Sequence, residues 1–300
     1  MLTIGSRGSK LALWQARWVA SRLEELGYST RIEIIKTTGD KITDVALSKV
    51  GGKGLFTKEI EEALLARTID LAVHSMKDVP TELPPGLTLG AVPAREDPRD
   101  AIAGRKLADL PPGAKVGTSS LRRAAQLRLL RPDLAIENIR GNVDTRLRKL
   151  DEGRYDAVVL ACAGLKRLGL EGRIAEPLPV DVMIPAVGQG ALGIEIRDED
   201  GPAAEACRRL EDAATRTAVT AERAFLAALG GGCQVPVGAH ARVNGREVML
   251  EAIVISPAGG EPVRGRTAGP LEEAEALGKR LGEELLERGA REILEEVYGA

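Results

Sequence analysis

The sequence predicts an α/β protein built as two lobes, followed by a small α+β C-terminal domain. Three observations carry this. The chain has 300 residues, beyond the size at which one hydrophobic core keeps growing. Short apolar runs alternate with helix-period segments through residues 2 to 92, and again from about 115 to 164, the pattern of βαβ units on a mainly parallel sheet. From Gly230 the character changes to strand-like runs and an amphipathic end.

In order, LTIGS reads as a strand, KLALWQARWVASRLEEL as a helix capped by Ser9, RIEIIKT as a strand, KEIEEALLARTI as a helix and DLAVHS as a strand. The polar stretch PAREDPRD, 93 to 100, reads as a hinge or crossover. KVGTS, the helix SLRRAAQLRLL, AIENIR, the helix NVDTRLRKLDEG and YDAVVLACAG then repeat the alternation. A helix leads into Asp70-Leu-Ala-Val in one lobe and Asp156-Ala-Val-Val in the other, a faint internal echo. After IPAVGQG, ALGIEIR reads as a strand and 202 to 229 as an Ala-rich helical region. Residues 237 to 268 hold two strand-like runs joined at Asn244-Gly245, a hairpin signal, and 271 to 296 an amphipathic helical end.

Composition narrows the function. Two Trp, three Tyr and two Phe leave little to stack nucleic-acid bases on, so no nucleic-acid partner is expected. No apolar run approaches a membrane-spanning length of ~20 residues and the start has no secretory apolar core, so no membrane is expected and the cytoplasm is the expected location. Cys162, Cys207 and Cys233, an odd number widely spaced, make no disulfide framework, and with His74 and His240 they make no zinc pattern. No metal is expected. The net charge of −2 gives no global pull on anions, so anion binding has to arise where the 42 Lys and Arg cluster.

Gly117-Thr118-Ser119-Ser120-Leu-Arg122-Arg123 turns a strand end into a helix, where free backbone N–H groups and hydroxyls suit an anion. A plain N-cap explains the hydroxyls. Two arginines in the first turn oppose the helix macrodipole, which calls for a compensating anion. Lys49-Val-Gly-Gly-Lys53, with Lys58 beyond, is a second basic cluster whose glycines allow close backbone approach, without the Walker spacing of a nucleotide loop. Arg140-Gly-Asn-Val-Asp-Thr-Arg146 is a third. Arg7, Ser75, Lys77 and Asp78 also fall at strand ends, where open α/β sheets bind ligands. Each cation alone is explained by solvation; their recurrence at strand ends predicts a ligand with several carboxylates or phosphates.

His74 reads first as a packed core residue. Asp78 is open to two readings: a counter-ion for its basic neighbours, or the group that meets a cation or moves a proton. Gly188-Gln-Gly-Ala-Leu-Gly193 matches a dinucleotide glycine string but leads into a strand, so that reading is rejected. Cys162 and Cys207 read as inert packing residues. Cys233, between glycines and Gln-Val-Pro, reads as a displayed thiol and a candidate for covalent chemistry.

These segments together resemble the porphobilinogen deaminase (hydroxymethylbilane synthase) family. The resemblance runs through SRGSKLALWQA, KVGGKGLFTKE, AVHSMKDVP, REDPRDA, VGTSSLRR, IRGNVDTRL, LACAGLKRLGL, PAVGQGALGIE, TAERAFL and GGCQVPVGA. It covers nearly the whole chain, with less signature inside the third domain and no departure where the family's chemistry resides.

The resemblance implies two periplasmic-binding-protein-like lobes with the active cleft between them, plus the C-terminal domain. Domain 1 would be 1–93 with 191–209, domain 2 98–187, and domain 3 213–300 carrying the cofactor-attachment loop. It implies that four porphobilinogen molecules are condensed head to tail, each losing ammonia, and that hydroxymethylbilane is released by hydrolysis. A dipyrromethane primer would be joined by a thioether to Cys233. Lys53, Lys77, Ser75, Thr118, Ser119, Ser120, Arg122, Arg123, Arg140 and Arg146 would hold that cofactor. Arg7, Ser9, Lys49, Gln189 and again Arg140 and Arg146 would hold substrate. Loss of ammonia leaves a cationic azafulvene, and Asp78 is the expected catalytic carboxylate beside it. A monomer is implied. The alternatives are a noncatalytic anion receptor or sensor of the same architecture, for which a tethering thiol has no use, and a kinase-like phosphate enzyme, disfavoured by the missing Walker context.

Overall fold

A computed structural model of the protein describes residues 1–41, 56–231 and 235–298. The elements in chain order are β1 (Leu2–Ser6), α1 (Lys10–Glu25), β2 (Thr30–Ile34), α2 (Lys58–Leu65), β3 (Leu71–Ser75) and β4 (Leu87–Ala91). Then follow β5 (Asp100–Gly104), β6 (Lys115–Gly117), α3 (Leu121–Leu130), β7 (Ala135–Glu137), α4 (Val143–Asp151), β8 (Ala157–Ala161), α5 (Cys162–Arg167) and β9 (Glu176–Pro177). The chain ends with β10 (Leu192–Arg197), α6 (Pro202–Arg208), α7 (Ala213–Ala228), β11 (Val237–Asn244), β12 (Glu247–Val254), β13 (Val263–Pro270), α8 (Ala274–Leu285) and α9 (Arg291–Tyr298).

The chain divides into two compact units, one of Met1–Glu96 with Ala191–Thr217, the other of Asp97–Gly190 with Ala218–Ala300. The first holds a five-stranded sheet in the order β2-β1-β3-β10-β4. Here β1 runs parallel to β2 and β3, while β10 lies antiparallel between β3 and β4. Leu2, Ile4, Leu71, Val73, Ile194 and Ile196 pack it against α1 residues Ala16, Val19 and Leu23. Ser9 caps α1, accepting from the Ala12 N–H at 3.3 Å.

In the second unit a sheet of the same strand number has the order β7-β6-β8-β5-β9. β6 runs parallel to β7 and β8, and β5 antiparallel to β8. Continuous apolar runs such as Ala157–Leu160, buried throughout, are what a strand covered on both faces requires. The same unit holds the small antiparallel sheet β11-β12-β13. These two α/β sheets and the smaller C-terminal sheet with its helices bear out the expected fold class.

Four local readings are corrected. The helix after β8 begins directly at Cys162, so Cys162 opens α5 and does not end a strand. The region 202–229 is two helices, broken between Arg208 and Ala213. The C-terminal sheet has a third strand, β13, whose sequence VRGRTAGP carries too much Gly, Pro and Arg to read as one. Gly265 and Gly269 are what admit it, since a Cβ at Gly265 would stand 2.7 Å from Leu281 Cδ1 and one at Gly269 3.1 Å from Leu277 Cδ1. The expected hairpin forms one residue later than read: Asn244 pairs with Glu247, and Gly245, at φ +60°, takes the first turn position that a type II′ hairpin demands.

Candidate active site

In the first unit, the parallel pairing of β1 with β3 brings the carboxyl ends of both strands side by side, with Arg7 just beyond one and Ser75, Lys77 and Asp78 at the other. Arg7 lies over the Phe56 ring, its guanidinium carbon 4.2 Å from the ring centroid, a cation–π contact that fixes the planar head. Ser75 ends β3 and accepts from Gln15 Nε2 at 2.9 Å, a link from α1 that reading the sequence missed. One 3₁₀ turn, Met76–Asp78, follows, anchored by Met76 N–H donating to Ala191 O at 3.0 Å. It leaves Lys77 and Asp78 half-buried. Among the described residues the Asp78 carboxylate makes no ion pair and no hydrogen bond. His74, one strand residue earlier, is buried with its Nε2 2.9 Å from Glu195 Oε2, the packed role expected of it.

In the second unit the two basic turns again lie at neighbouring parallel strand ends, because Gly117 of β6 pairs with Glu137 of β7. Thr118 is buried and its Oγ1 accepts from Ser120 N–H at 3.2 Å. Ser120 caps α3 by accepting from Arg123 N–H at 3.4 Å, and Ser119 is exposed. The anion that the α3 arginines call for is supplied by the protein itself. Asp100, fully buried, accepts from Arg122 Nη1 at 2.7 Å and from Arg123 Nε at 2.9 Å. Burial pushes its pKa up, but Arg122 and Arg123 outweigh it and hold the carboxyl well below the usual range. Arg122 Nη1 also donates to Ile184 O at 2.8 Å. Arg123 also donates to Val159 O and to Gln189 Oε1, at 3.1 and 3.3 Å. Gln189 in turn donates to Asp100 Oδ1 and Pro98 O, at 2.9 and 2.8 Å. Arg122, Arg123 and Gln189 thus form one internal network with Asp100.

Beside this network lies a further guanidinium. Arg146, the fourth residue of α4, donates from Nε to Gly141 O at 2.8 Å and has no carboxylate partner among the described residues. Burial, reinforced by repulsion from Arg123 and Arg140, pushes its pKa down to about 10. Three guanidinium groups near enough to repel, beside the N-termini of α3 and α4, make a locus that a polycarboxylate relieves.

Lys49, Lys53 and Cys233 lie outside the described residues. Cys162 and Cys207 are fully buried, and burial pushes their thiols up to about 11 and about 12, far from a thiolate at neutral pH. Glu222 and Arg167 were not singled out from sequence. Each is buried and bound to backbone: Arg167 donates to Gly190 O at 2.7 Å, and Glu222 accepts two N–H bonds. Neither has a local signal: Lys166 stands beside Arg167 and Arg223 beside Glu222, as in any solvated helix face.

Comparison with known proteins identifies the family. The family model described as porphobilinogen deaminase, dipyromethane cofactor binding domain, matches residues 2–205, and that of the porphobilinogen deaminase C-terminal domain matches 216–287. Relatives named porphobilinogen deaminase include one from Syntrophobacter fumaroxidans, 54% identical over 100% of this chain and 99% of its own length. Another, from Syntrophotalea carbinolica, is 57% identical over 98% and 95%. Among solved structures, the methionine-binding protein MetQ aligns with 70% of this chain and 89% of its own, at 13% identity and a TM-score of 0.45. The class these results define is an α/β enzyme with a dipyrromethane-binding portion and a separate small C-terminal domain. The chain belongs to the porphobilinogen deaminase family.

Proposed function

We propose that this chain condenses four porphobilinogen molecules head to tail, with loss of ammonia, on a dipyrromethane primer, and releases hydroxymethylbilane by hydrolysis. The observation that carries the substrate class is Arg146, a guanidinium with no carboxylate partner among the described residues and with Arg123 and Arg140 near enough to repel it, because each pyrrole unit bears two carboxylates. The same locus is the test of fit for the primer: a group with four carboxylates matches a place where burial and two neighbouring arginines press on Arg146, which has no carboxylate partner among the described residues. Arg140 and Arg146, with Lys53, Lys77, Ser75 and the Thr118–Ser120 turn, would hold it, and Cys233, in the C-terminal domain, would carry the thioether. When bound, dipyrromethane supplies the free pyrrole carbon at which chain growth starts. Arg7 and Ser9, with Lys49 and Gln189, are assigned to incoming substrate. Arg122 and Arg123 act chiefly through Asp100, keeping α3 charged at its N-terminus.

Asp78 is assigned the chemistry. Its carboxylate, uncommitted among the described residues, is available to stabilise the positive charge that develops as the aminomethyl C–N bond breaks and ammonia leaves. It is also available to take the proton released when the new carbon–carbon bond forms. The proposed setting is a monomer in the cytoplasm; among the described residues no helix is long and apolar enough to cross a membrane.

Two measurements test the reading. Asp78→Asn is expected to lower turnover about 10²–10⁴-fold with the protein still folded, and near-normal turnover removes Asp78 from the chemistry. Intact mass of protein purified from cells is expected to exceed the sequence mass by two linked pyrroles and to lose that excess in Cys233→Ser. An unmodified, fully active protein excludes the tether.

A further inference from the structure

Glu222 is a second buried carboxylate in the same unit as the arginine cluster, and its surroundings differ from those of Asp100. It sits in α7 with no exposed surface. Its Oε2 accepts from Gly188 N–H and its Oε1 from Ala241 N–H, each at 2.7 Å. These donors belong to separate segments, the turn before β10 and the middle of β11. One side chain therefore closes a junction between a turn and a strand that have no sheet pairing with each other. A buried carboxylate costs several kcal/mol in desolvation, so two short charge-assisted bonds to fixed backbone make Glu222 a stiff clamp.

The clamped segment is the one that reaches the arginines. Residue 189, next to Gly188, is the buried glutamine bonded to Asp100, Pro98 and Arg123. Ile184, a few residues earlier, is held through its carbonyl by Arg122 and through both backbone groups by Gln126. Pro185 O accepts from Ala239 N–H at 3.0 Å. At Gly238 a Cβ would stand 2.7 Å from Ile184 O, so only glycine allows β11 to approach this closely. Residues 184–189 are thus gripped on one side by α3 and on the other by β11 and Glu222.

We infer that Glu222 is a positioning residue: by fixing Gly188 and Ala241 together, it sets Gln189, and through Gln189 the Asp100–Arg123 pair, beside which Arg146 is held in the register that binds substrate carboxylates. The inference rests on the reading of Arg123, Arg140 and Arg146 as the polycarboxylate site. Glu222→Gln keeps the size of the side chain but turns an NH₂ group toward one of the two N–H donors.

The test measures KM and kcat for porphobilinogen, with backbone amide exchange of 184–189 and 239–241, in Glu222→Gln, Arg146→Gln and Leu281→Ala. Leu281 is a core residue packed in the same cluster as Ala241 and supplies a destabilised control that removes neither Glu222 hydrogen bond. Glu222→Gln is expected to raise KM about tenfold or more with a smaller change in kcat and to speed exchange at Gly188 and Ala241. Leu281→Ala is expected to lower the thermal midpoint with KM unchanged. Equal KM effects in Glu222→Gln and Leu281→Ala, or none in Glu222→Gln, overturn the inference. If Arg146→Gln raises KM while Glu222→Gln does not, only the clamp fails; if Arg146→Gln leaves KM unchanged, the polycarboxylate site itself fails. Should Glu222→Gln not accumulate folded, Glu222→Asp, which keeps the charge but is too short to span both donors, takes its place. A KM raised severalfold then supports the clamp, and an unchanged KM overturns it.

Discussion

Replacing the Asp100 carboxylate by an amide would leave Arg122 and Arg123 buried side by side with no negative charge between them. Breaking a buried pair in this way costs about 3–5 kcal/mol, so Asp100→Asn is expected to lose that much stability in denaturant unfolding. The folded pKa of Asp100 is depressed, so its contribution is present above the ordinary carboxylate range. It is lost only as pH falls through the folded value, in strong acid. Glu61 has the opposite sign. Burial, opposed by the Thr57 side chain and reinforced by Glu195, pushes its pKa up, and Glu61 Oε1 and Glu195 Oε1 are buried without hydrogen-bond partners among the described residues. Its contribution is present below the ordinary range and lost as pH rises through the raised value. Glu61→Gln is therefore expected to flatten the decline in stability from mildly acidic to neutral pH, measured by unfolding at a series of pH values. If wild type and variant decline in parallel, Glu61 is not the titrating group.

Helix packing supplies a prediction at the level of elements. α8 lies so close to α7 that a Cβ at Gly278 would overlap Ala221 O, and one at Gly282 would come within 2.6 Å of Ala228 Cβ. Backbone cannot yield as a side-chain tip can, so Gly278→Ala is expected to destabilise by about 1–3 kcal/mol despite the better helix propensity of alanine, read as a lowered denaturant midpoint. Much at this scale was legible in the sequence: the βαβ alternation, the Ser9 and Ser120 caps, the hairpin glycine and the core placement of His74 all follow from local chemistry. What escaped depends on contacts far apart in the chain. Arg122 and Arg123 announced a need for an anion, but the pairing with Asp100, 22 residues earlier for Arg122, has no local signature. β13 was hidden because its glycines serve the helix packed on it. Glu222 looks like any surface glutamate of a helix until β11 and the turn at Gly188 are folded onto it. For the candidate site, residue types and strand-end positions could be read directly, whereas which arginines turn inward could not.

For the whole molecule, a net charge of −2 combined with a local excess of guanidinium groups means that anion capture is short-range. KM for porphobilinogen is expected to rise with added salt, as paired charges at a partly exposed site are screened, while kcat changes less; a salt-independent KM contradicts carboxylate recognition by the arginines. The strand order β2-β1-β3-β10-β4 has a further consequence, for how the protein is made. Leu192, the first residue of β10, leaves the ribosome roughly 100 residues after Ala91, on the order of 5–20 s later at ordinary elongation rates. Throughout that interval β3 and β4 are complete but their shared neighbour does not exist, so each offers an unpaired edge to other nascent chains. The second unit's β5 to β9 are synthesised inside this window, so the first unit's sheet begins to form before those strands exist and can close only after them.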